Sequence, residues 1–205
     1  MTVAPPSGAF SSPAALRNRE PILEVLRQVL PASGAVVHVA EGSGEHVVHF
    51  ADALPGLTFL PTDPDASART SIAAWREASG LPKVGEPLSL DASDPASWPV
   101  RAADAIVAIN MVHISPWSAT EGLMTGAGEI LSPGGVLFLY GPYLEADVET
   151  TPSNLAFDQS LKARNPAWGL RSLDEVTALA ARNGLIRSAR IAMPANNLSL
   201  VFVKG

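Results

Sequence analysis

The 205-residue chain contains no cysteine, so disulfide bonds, cysteine-ligated zinc sites and cysteine nucleophiles are all excluded. Basic residues are few: 14 Lys and Arg stand against 20 Asp and Glu, which gives a formal net charge of −6. This balance lacks the positive field that binds nucleic-acid backbones or anionic membranes, so neither is an expected partner. The apolar runs are short and broken by Gly or Pro, so no segment is expected to span a membrane.

The N-terminal stretch 1–12 is rich in Pro, Ser and Gly, which is typical of a flexible arm. It has no basic segment followed by a long apolar run, so we expect no signal peptide and a cytoplasmic location. Hydrophobic residues make up 47% of the chain, which is typical of a globular protein. Residues 13–205 are therefore expected to form a single domain, and the sequence carries no signal for its oligomeric state.

Apolar runs rich in β-branched residues alternate with helical patterns along the whole chain. This alternation predicts an α/β fold of Rossmann-like type, with a seven-stranded, mostly parallel sheet and helices on both faces. Only residues 194–197 join the last two strands, so the last strand is expected to pair antiparallel. The predicted strands are 35–40, 57–63, 86–91, 103–110, 136–141, 185–193 and 198–204, and the predicted helices are 13–30, 45–54, 67–79, 118–131 and 172–183.

Proline and its neighbours mark two further features. Ser12 followed by Pro13 predicts the N-cap and first turn of the helix 13–30, and Pro21 predicts a kink or a break within it. Residues 143–169 contain several Pro and Asn and are predicted to form a long irregular loop. A loop of this length in a compact domain is usually functional, for example a lid.

A Gly-x-Gly turn, Gly42 to Gly44, follows the first predicted strand, at the edge where open α/β sheets bind ligands. Asp63 ends the second predicted strand, 19 residues after Gly44, where its carboxylate can accept hydrogen bonds from both ribose hydroxyls. A nucleoside ligand is therefore favoured over a simple strand-to-helix turn. No Gly-Lys-Ser/Thr follows, which argues against a P-loop. The single short glycine turn and the antiparallel closing strands favour a ligand without a pyrophosphate.

The order of strands and loops, the Gly-x-Gly turn, Asp63 and the closing strands resemble the class I S-adenosylmethionine-dependent methyltransferases. More narrowly, the chain is similar to a small methyltransferase-like family catalogued as domain of unknown function 938, with relatives of methyltransferase-like protein 26. The resemblance covers nearly the whole chain from residue 12, and it supplies no established reaction for most members. The stretches that carry it are Ser12–Ala15, Arg17–Leu23, Gly42–His46, Pro61–Asp65, Ile109–Trp117, Leu139–Tyr143, Pro152–Asn154, Phe157–Asp158, Arg164–Pro166, Trp168–Arg171 and Met193–Asn197.

The resemblance implies that the domain is of the class I methyltransferase type and that its cofactor is S-adenosylmethionine. Asp63 would bind the ribose, and the turn that contains Asp91 and Ala92 would lie near the adenine. Asn110 and Met111 would lie beside the methionine portion. Together with the departing position His38 and two candidates on the first helix, the predicted cofactor-binding residues are Arg17, Asn18, His38, Ala40, Glu41, Gly42, Gly44, Asp63, Asp91, Ala92, Asn110 and Met111.

One position departs from the family pattern. An acid, usually Glu in this family, stands four residues before the Gly-x-Gly and interacts with the cofactor's ammonium group, whereas this chain has His38 there. A histidine cannot repeat that charge pairing. We hypothesise that Glu41, where the family usually has a small residue, restores a negative charge nearby. The alternatives are weaker cofactor binding, a different sulfonium ligand, loss of methyl transfer, or a tolerated substitution at the strand end.

Two residues on the same rim are predicted to take part in catalysis. His113 follows the fourth predicted strand, where this fold places groups near the transferred methyl, so it is predicted to be a general base or an orienting group. Its alternative role is to satisfy a loop carbonyl. Tyr143 lies past the fifth predicted strand and is predicted to orient a substrate hydroxyl or carboxylate. Its alternative role is to pack in the wall of the site without contributing to the chemistry.

Two residues on the first predicted helix are further candidates for ligand binding. Arg17 and Asn18 could fold over the rim and hold the cofactor carboxylate or an anionic substrate. The alternative for Arg17 is a place on a solvated helix face. The predicted function is methyl transfer from S-adenosylmethionine to a small-molecule acceptor, for which no metal is needed. The alternatives are a cofactor-binding protein without methyl transfer, or an enzyme that uses the sulfonium for cyclisation or elimination.

Overall fold

A computed structural model describes residues 4–205 of the protein. Within these residues, six strands form the main sheet and two short strands form a separate sheet. In chain order the strands are β1 (Gly34–Val39), β2 (Leu57–Pro61), β3 (Ala103–Ile109), β4 (Leu131–Gly141), β5 (Tyr143–Leu144), β6 (Arg171–Ser172), β7 (Leu185–Met193) and β8 (Asn197–Lys204). The helices are α1 (Pro13–Val29), α2 (Glu45–Ala53), α3 (Ala66–Ser79), α4 (Trp117–Ile130), α5 (Pro152–Arg164) and α6 (Leu173–Arg182). Within residues 4–205 no helix has the length and apolarity needed to cross a bilayer.

The sheet order is β2-β1-β3-β4-β8-β7, in which β1 to β4 are parallel and β8 runs antiparallel to both of its neighbours. The chain leaves β1 toward β2 on one side and returns to β3 on the other. The strand order therefore reverses between β1 and β3, which is the place where open α/β sheets bind ligands. The predicted Rossmann-like, mostly parallel sheet with an antiparallel last strand is confirmed.

Helices cover both faces of the sheet, and successive strand residues alternate between them. On β1, Val36 packs with α1 and α2 in one core, whereas Val37 packs with α4 and α6 in the other. On β3, Ala105 and Ile106 divide in the same way. This two-residue alternation makes both faces apolar, which is why the central strands read as continuous hydrophobic runs in the sequence.

The predicted third strand, residues 86–91, is wrong, and the sheet has six strands instead of seven. The chain does pass beside β2 here, but it pairs only through two isolated bridges: Thr62 with Leu88 in the predicted strand, and Phe59 with Val84 just before it. Pro87 lies between the bridges and has no backbone N–H to donate, so a regular ladder cannot continue through it.

The predicted long loop 143–169 is also wrong, because it contains the 13-residue helix α5. Pro152 stands at the first position of this helix, as Pro13 does in α1, although Thr151 makes no side-chain capping hydrogen bond of the kind that Ser12 makes. Proline at the first helical position loses no intrahelical hydrogen bond, so it starts a helix here instead of breaking one. The two short strands β5 and β6 then close a small parallel ladder around it.

The first helix begins as predicted and is continuous. Ser12 accepts a hydrogen bond from the Ala15 N–H as N-cap, and the helix runs through Pro21 without a break. The chain before it is fixed by side chains of α3, since the Phe10 N–H donates to Ser71 Oγ over 3.0 Å and its carbonyl accepts from Trp75 Nε1 over 3.2 Å.

Candidate functional site

A cleft of about 740 Å³ opens at the carboxyl ends of β1, β2 and β3. Ser12 and Ala14 close one side of it, and Trp168 borders it from the segment after α5. Most of the predicted cofactor residues come together here although they are far apart in sequence. Those that line the cleft are Ala40, Glu41, Gly42, Asp63, Asp91, Ala92, Asn110 and Met111.

The glycine turn enters the cleft from β1 and leads into α2. Gly42 and Gly44 have φ of 72° and 100°, in the left-handed region that favours glycine. Gly44 does not line the cleft: a Cβ there would lie 2.9 Å from the Ile72 Cα, so this glycine lets α2 approach α3 closely. Gly42 faces the cleft with open space around its Cα, which leaves its backbone accessible.

Asp63 connects the end of β2 to the glycine turn. Its Oδ2 accepts from the Gly42 N–H over 3.0 Å, and its Oδ1 accepts from the Asp65 N–H over 2.9 Å. Burial raises the pKa of the Asp63 carboxyl above its ordinary value, although the two backbone hydrogen bonds oppose that effect. The carboxylate is thus held at the cleft wall by two donors, and each oxygen has a further lone pair available for hydroxyl groups.

Backbone strain is concentrated around the cleft and a neighbouring cavity. The non-glycine residues with positive φ in residues 4–205 are Ala40, Asn110, Ala195 and Asn196, with φ between 53° and 59°. The first two line the cleft, and Asn110 lines the neighbouring cavity together with the last two. A left-handed alanine costs about 1–2 kcal/mol. Strain of this kind clusters at functional sites, where the surrounding structure imposes it.

The departure from the family pattern is a buried pair beneath the glycine turn. His38 Nδ1 contacts Glu41 Oε2, and the two side chains are 1% and 0% exposed. Glu41 Oε1 also accepts from the Val47 N–H over 3.0 Å. Burial by itself raises the pKa of Glu41, but the charge and hydrogen bond of His38, with His46 and the Val47 N–H, hold it below its ordinary value. Glu41 is therefore an ionised partner for His38. Of the two residues, Glu41 lines the cleft and His38 does not.

A second buried contact connects α1 to α2. Asn18 Oδ1 lies 2.8 Å from His46 Nε2, and both side chains are buried. Burial lowers the pKa of His46 to about 4, so its ring is neutral at pH 7 and can donate an Nε2–H hydrogen bond to the amide oxygen. Asn18 was predicted to hold the cofactor; the structure commits its amide oxygen to His46 and places the residue on the neighbouring cavity.

That neighbouring cavity measures about 810 Å³ and adjoins the cleft through Ala14, Asn110 and Ile114, which line both. Its walls come from α1, α5 and the ends of β3 and β4, with the turn between β7 and β8 opposite. Of the predicted site residues, Arg17, Asn18 and His113 lie here instead of in the cleft. The two spaces are thus arranged as neighbours that share a wall, which is the arrangement that a two-substrate reaction requires.

His113 lies at the border of the second cavity and is only 2% exposed. Burial, assisted by the positive charges of Arg171 and Arg164, lowers its pKa to about 4, so the ring is neutral at pH 7. Within the described chain no hydrogen bond reaches either ring nitrogen. Its edge meets the Phe157 ring at a centroid distance of 5.6 Å. Gly141 makes room for it, because a Cβ there would lie 2.9 Å from His113 Nδ1.

Arg171 positions the loop that carries His113, a role that the sequence analysis missed. Its guanidinium donates to the carbonyls of Ser115 and Ala167 over 2.8 and 2.7 Å. It also lies 5.8 Å from the centre of the Trp117 ring. The contacts with Ser115 and Trp117 join residues more than fifty positions apart, and no local pattern in the sequence reveals them.

Tyr143 lies apart from both spaces. It borders a third cavity of about 180 Å³, which adjoins the second one through Asn154, Asn196 and Asn197. Its hydroxyl is buried and has no hydrogen-bond partner within residues 4–205, and burial raises its pKa. The structure therefore does not bring Tyr143 together with His113. Residues 4–205 also contain no group of three His, Asp or Glu side chains that could hold a metal ion.

The sequence profile of one protein family, described as protein of unknown function (DUF938), matches residues 9–204. Similar solved structures include an O-methyltransferase family protein from Burkholderia thailandensis, at 17% identity and a TM-score of 0.80, covering 94% of this chain and 57% of the other. CalO1, a methyltransferase in calicheamicin biosynthesis in its SAH-bound form, has 15% identity and a TM-score of 0.75 over 94% and 55%. An O-methyltransferase family 2 protein from Planctomyces limnophilus in complex with apigenin has 19% identity and a TM-score of 0.75 over 92% and 61%. The chain thus has the methyltransferase fold and spans a little over half the length of these proteins.

Proposed function

We propose that this chain, which belongs to the DUF938 family, binds S-adenosylmethionine in the cleft and transfers its methyl group to a small molecule in the second cavity. The observation that carries the proposal is the Asp63 carboxylate, which is hydrogen-bonded to the glycine turn at the point where the strand order reverses. The SAH-bound and apigenin-bound structures of the same fold support it. The narrower kinship with methyltransferase-like protein 26 is part of this proposal.

The cleft residues fit an adenosyl ligand. Asp63 would accept hydrogen bonds from the ribose hydroxyls, and Asp91 with Ala92 would border the adenine. Asn110 and Met111 would border the methionine portion, next to the second cavity. When it is bound, the cofactor supplies an electrophilic methyl group. The protein then has to hold the acceptor in line with that methyl and keep water away from it.

His113 is proposed as the general base or orienting group. Its ring is neutral at pH 7, since its pKa is about 4, and no protein hydrogen bond occupies its nitrogens within the described residues. A ring nitrogen can therefore accept a proton, or a hydrogen bond, from the nucleophilic group of an acceptor. A hydrogen bond that favours the protonated ring would raise the pKa of His113 and so oppose the effect of burial. The role of Tyr143 stays a prediction, which removal of its hydroxyl tests directly.

A second candidate function is cofactor binding without methyl transfer, and the His38–Glu41 pair is the observation that favours it. In the family pattern a carboxylate at the end of the first strand serves the cofactor's ammonium group. Here the carboxylate of Glu41 is engaged with His38 and Val47 instead. The cofactor would then bind with weaker support at its ammonium end.

Calorimetric titration with S-adenosylmethionine and S-adenosylhomocysteine tests the proposal. We expect binding to the native protein and at least a tenfold weaker affinity in Asp63→Asn, since charged hydrogen bonds to the ribose are lost. Asp147→Asn, at an exposed site away from the cleft, is the matched control. Absence of binding to the native protein would refute the proposal. Binding without S-adenosylhomocysteine formation from any acceptor would favour the second candidate, and release of methylthioadenosine would indicate non-methylating chemistry.

A further inference from the structure

The second cavity carries positive charge and no acid. Arg17 and Arg164 both line it, and none of its lining residues is Asp or Glu. The polar groups that accompany the two arginines are mainly amides and one neutral histidine. A cavity with this composition favours an occupant that brings its own negative charge.

Neither arginine has a carboxylate partner within residues 4–205. The salt bridges there involve Arg76 and Arg190 but not Arg17 or Arg164. The exposed Arg164 side chain has a cation–π contact instead, because its guanidinium lies 5.5 Å from the centre of the Trp168 ring. A cation–π contact leaves the N–H donors of the guanidinium free to bind an anion.

Part of the remaining wall is formed by large apolar side chains that are partly exposed. Phe157 and Ile114 are 36% and 38% exposed, although both are large hydrophobic residues, and both line the cavity. Phe157 also makes an edge contact with His113. An apolar, preferably aromatic, body would cover these side chains while its charged group reaches an arginine.

We infer that the second cavity takes an acceptor with an apolar body and a carboxylate, which Arg164 and Arg17 bind. This inference rests on the proposed function, because it names the acceptor class for the same site. The cofactor has a carboxylate of its own, so Arg17, on α1 close to the shared wall, needs an experiment that separates the two sources. Arg164, on α5, is the more decisive of the two residues.

The test uses matched pairs of probes on protein saturated with S-adenosylhomocysteine and on free protein. The probes are benzoate, 4-hydroxybenzoate, 4-hydroxyphenylacetate and indole-3-acetate, each with its neutral amide, and phenyl phosphate. We expect at least one carboxylate to bind about tenfold more tightly than its amide, as a charge-assisted hydrogen bond requires. We expect Arg164→Gln to abolish that preference and Arg182→Gln, an exposed arginine on α6, to keep it.

Several outcomes would overturn the inference. These are equal binding of carboxylate and amide across the whole set, a preference that survives in both Arg164→Gln and Arg17→Gln, or stronger binding of phenyl phosphate. If Arg17→Gln weakens S-adenosylhomocysteine binding and leaves the probes unaffected, Arg17 binds the cofactor and its part of the inference fails. Failure of the proposed function would appear as absent S-adenosylhomocysteine binding. It is distinguishable from failure of this inference, because binding of the probes is measured separately on free protein.

Discussion

The buried His38–Glu41 pair gives a quantitative prediction about stability. Glu41→Ala leaves the imidazole without its partner in a site that is 1% exposed, and it also removes the acceptor of the Val47 N–H. Breaking a buried pair on one side costs about 3–5 kcal/mol. Glu41→Gln keeps an oxygen for Val47 and loses only the charged contact, so we expect a cost of about 1.5–3 kcal/mol.

Urea unfolding at pH 7, followed by circular dichroism, measures both variants. A double-mutant cycle with His38→Gln isolates the contact, and we expect a coupling free energy of about 1–3 kcal/mol. Glu24→Gln, an exposed acid on α1, is the control and should change stability by less than about 0.5 kcal/mol. If the Glu41 and His38 effects simply add, the two side chains do not stabilise each other and the reasoning is refuted.

The pH dependence of the same variants gives an independent check. Glu41 has a folded pKa below its ordinary value of 4.5, so its ionised form stabilises the folded state above that pH. This contribution is lost as the pH falls through the folded pKa. The native protein should therefore lose stability below about pH 4.5 more steeply than Glu41→Gln. Parallel stability curves for the two proteins below that pH would contradict an ionised Glu41.

Four further variants probe the cleft and the second cavity. Ala40→Gly should stabilise the protein by up to about 1 kcal/mol in urea unfolding, because relief of the left-handed alanine exceeds the added chain entropy. Gly141→Ala should lower stability by about 1–3 kcal/mol and shift the His113 ring resonances in NMR spectra, because its Cβ would meet that ring. His113→Asn should flatten part of the fall in stability between pH 6.5 and 4, since its folded pKa of about 4 lets the unfolded chain take up the proton first. Tyr143→Phe removes a buried hydroxyl without a partner and should leave the melting temperature equal or higher; a loss of methyl transfer would assign the hydroxyl to the chemistry.

The sequence predicts the central layer of the fold well, because buried parallel strands are apolar throughout and the helix starts have local signals. The Ser12–Pro13 start of α1 is one example, and the structure confirms it. The two wrong predictions, the strand 86–91 and the loop 143–169, both concern a proline. Pro87 interrupts a strand that the apolar pattern favoured, whereas Pro152 begins a helix where the sequence was interpreted as a loop.

Local patterns in the sequence predict part of the site, whereas contacts between distant residues determine the rest. The glycine turn and Asp63 are recognisable because their spacing along the chain is fixed by one strand, one helix and a second strand. The contacts of Asn18 with His46 and of Arg171 with Ser115 join residues 28 and 56 positions apart. Such contacts depend on how α1 and β6 are placed against the finished sheet, so no local pattern predicts them.

The placement of α1 connects the cofactor cleft to the acceptor cavity. Ala14 lines both spaces, and Arg17 faces the second of them. Asn18, on the same helix, bonds the His46 ring that follows the glycine turn. Ahead of the helix, Phe10 bonds the Ser71 hydroxyl, which in turn donates to the Ser43 carbonyl within the turn. Helix α1 and the segment before it are therefore hydrogen-bonded by two separate routes to the start of α2 and to the glycine turn, which holds the border between the two spaces in place.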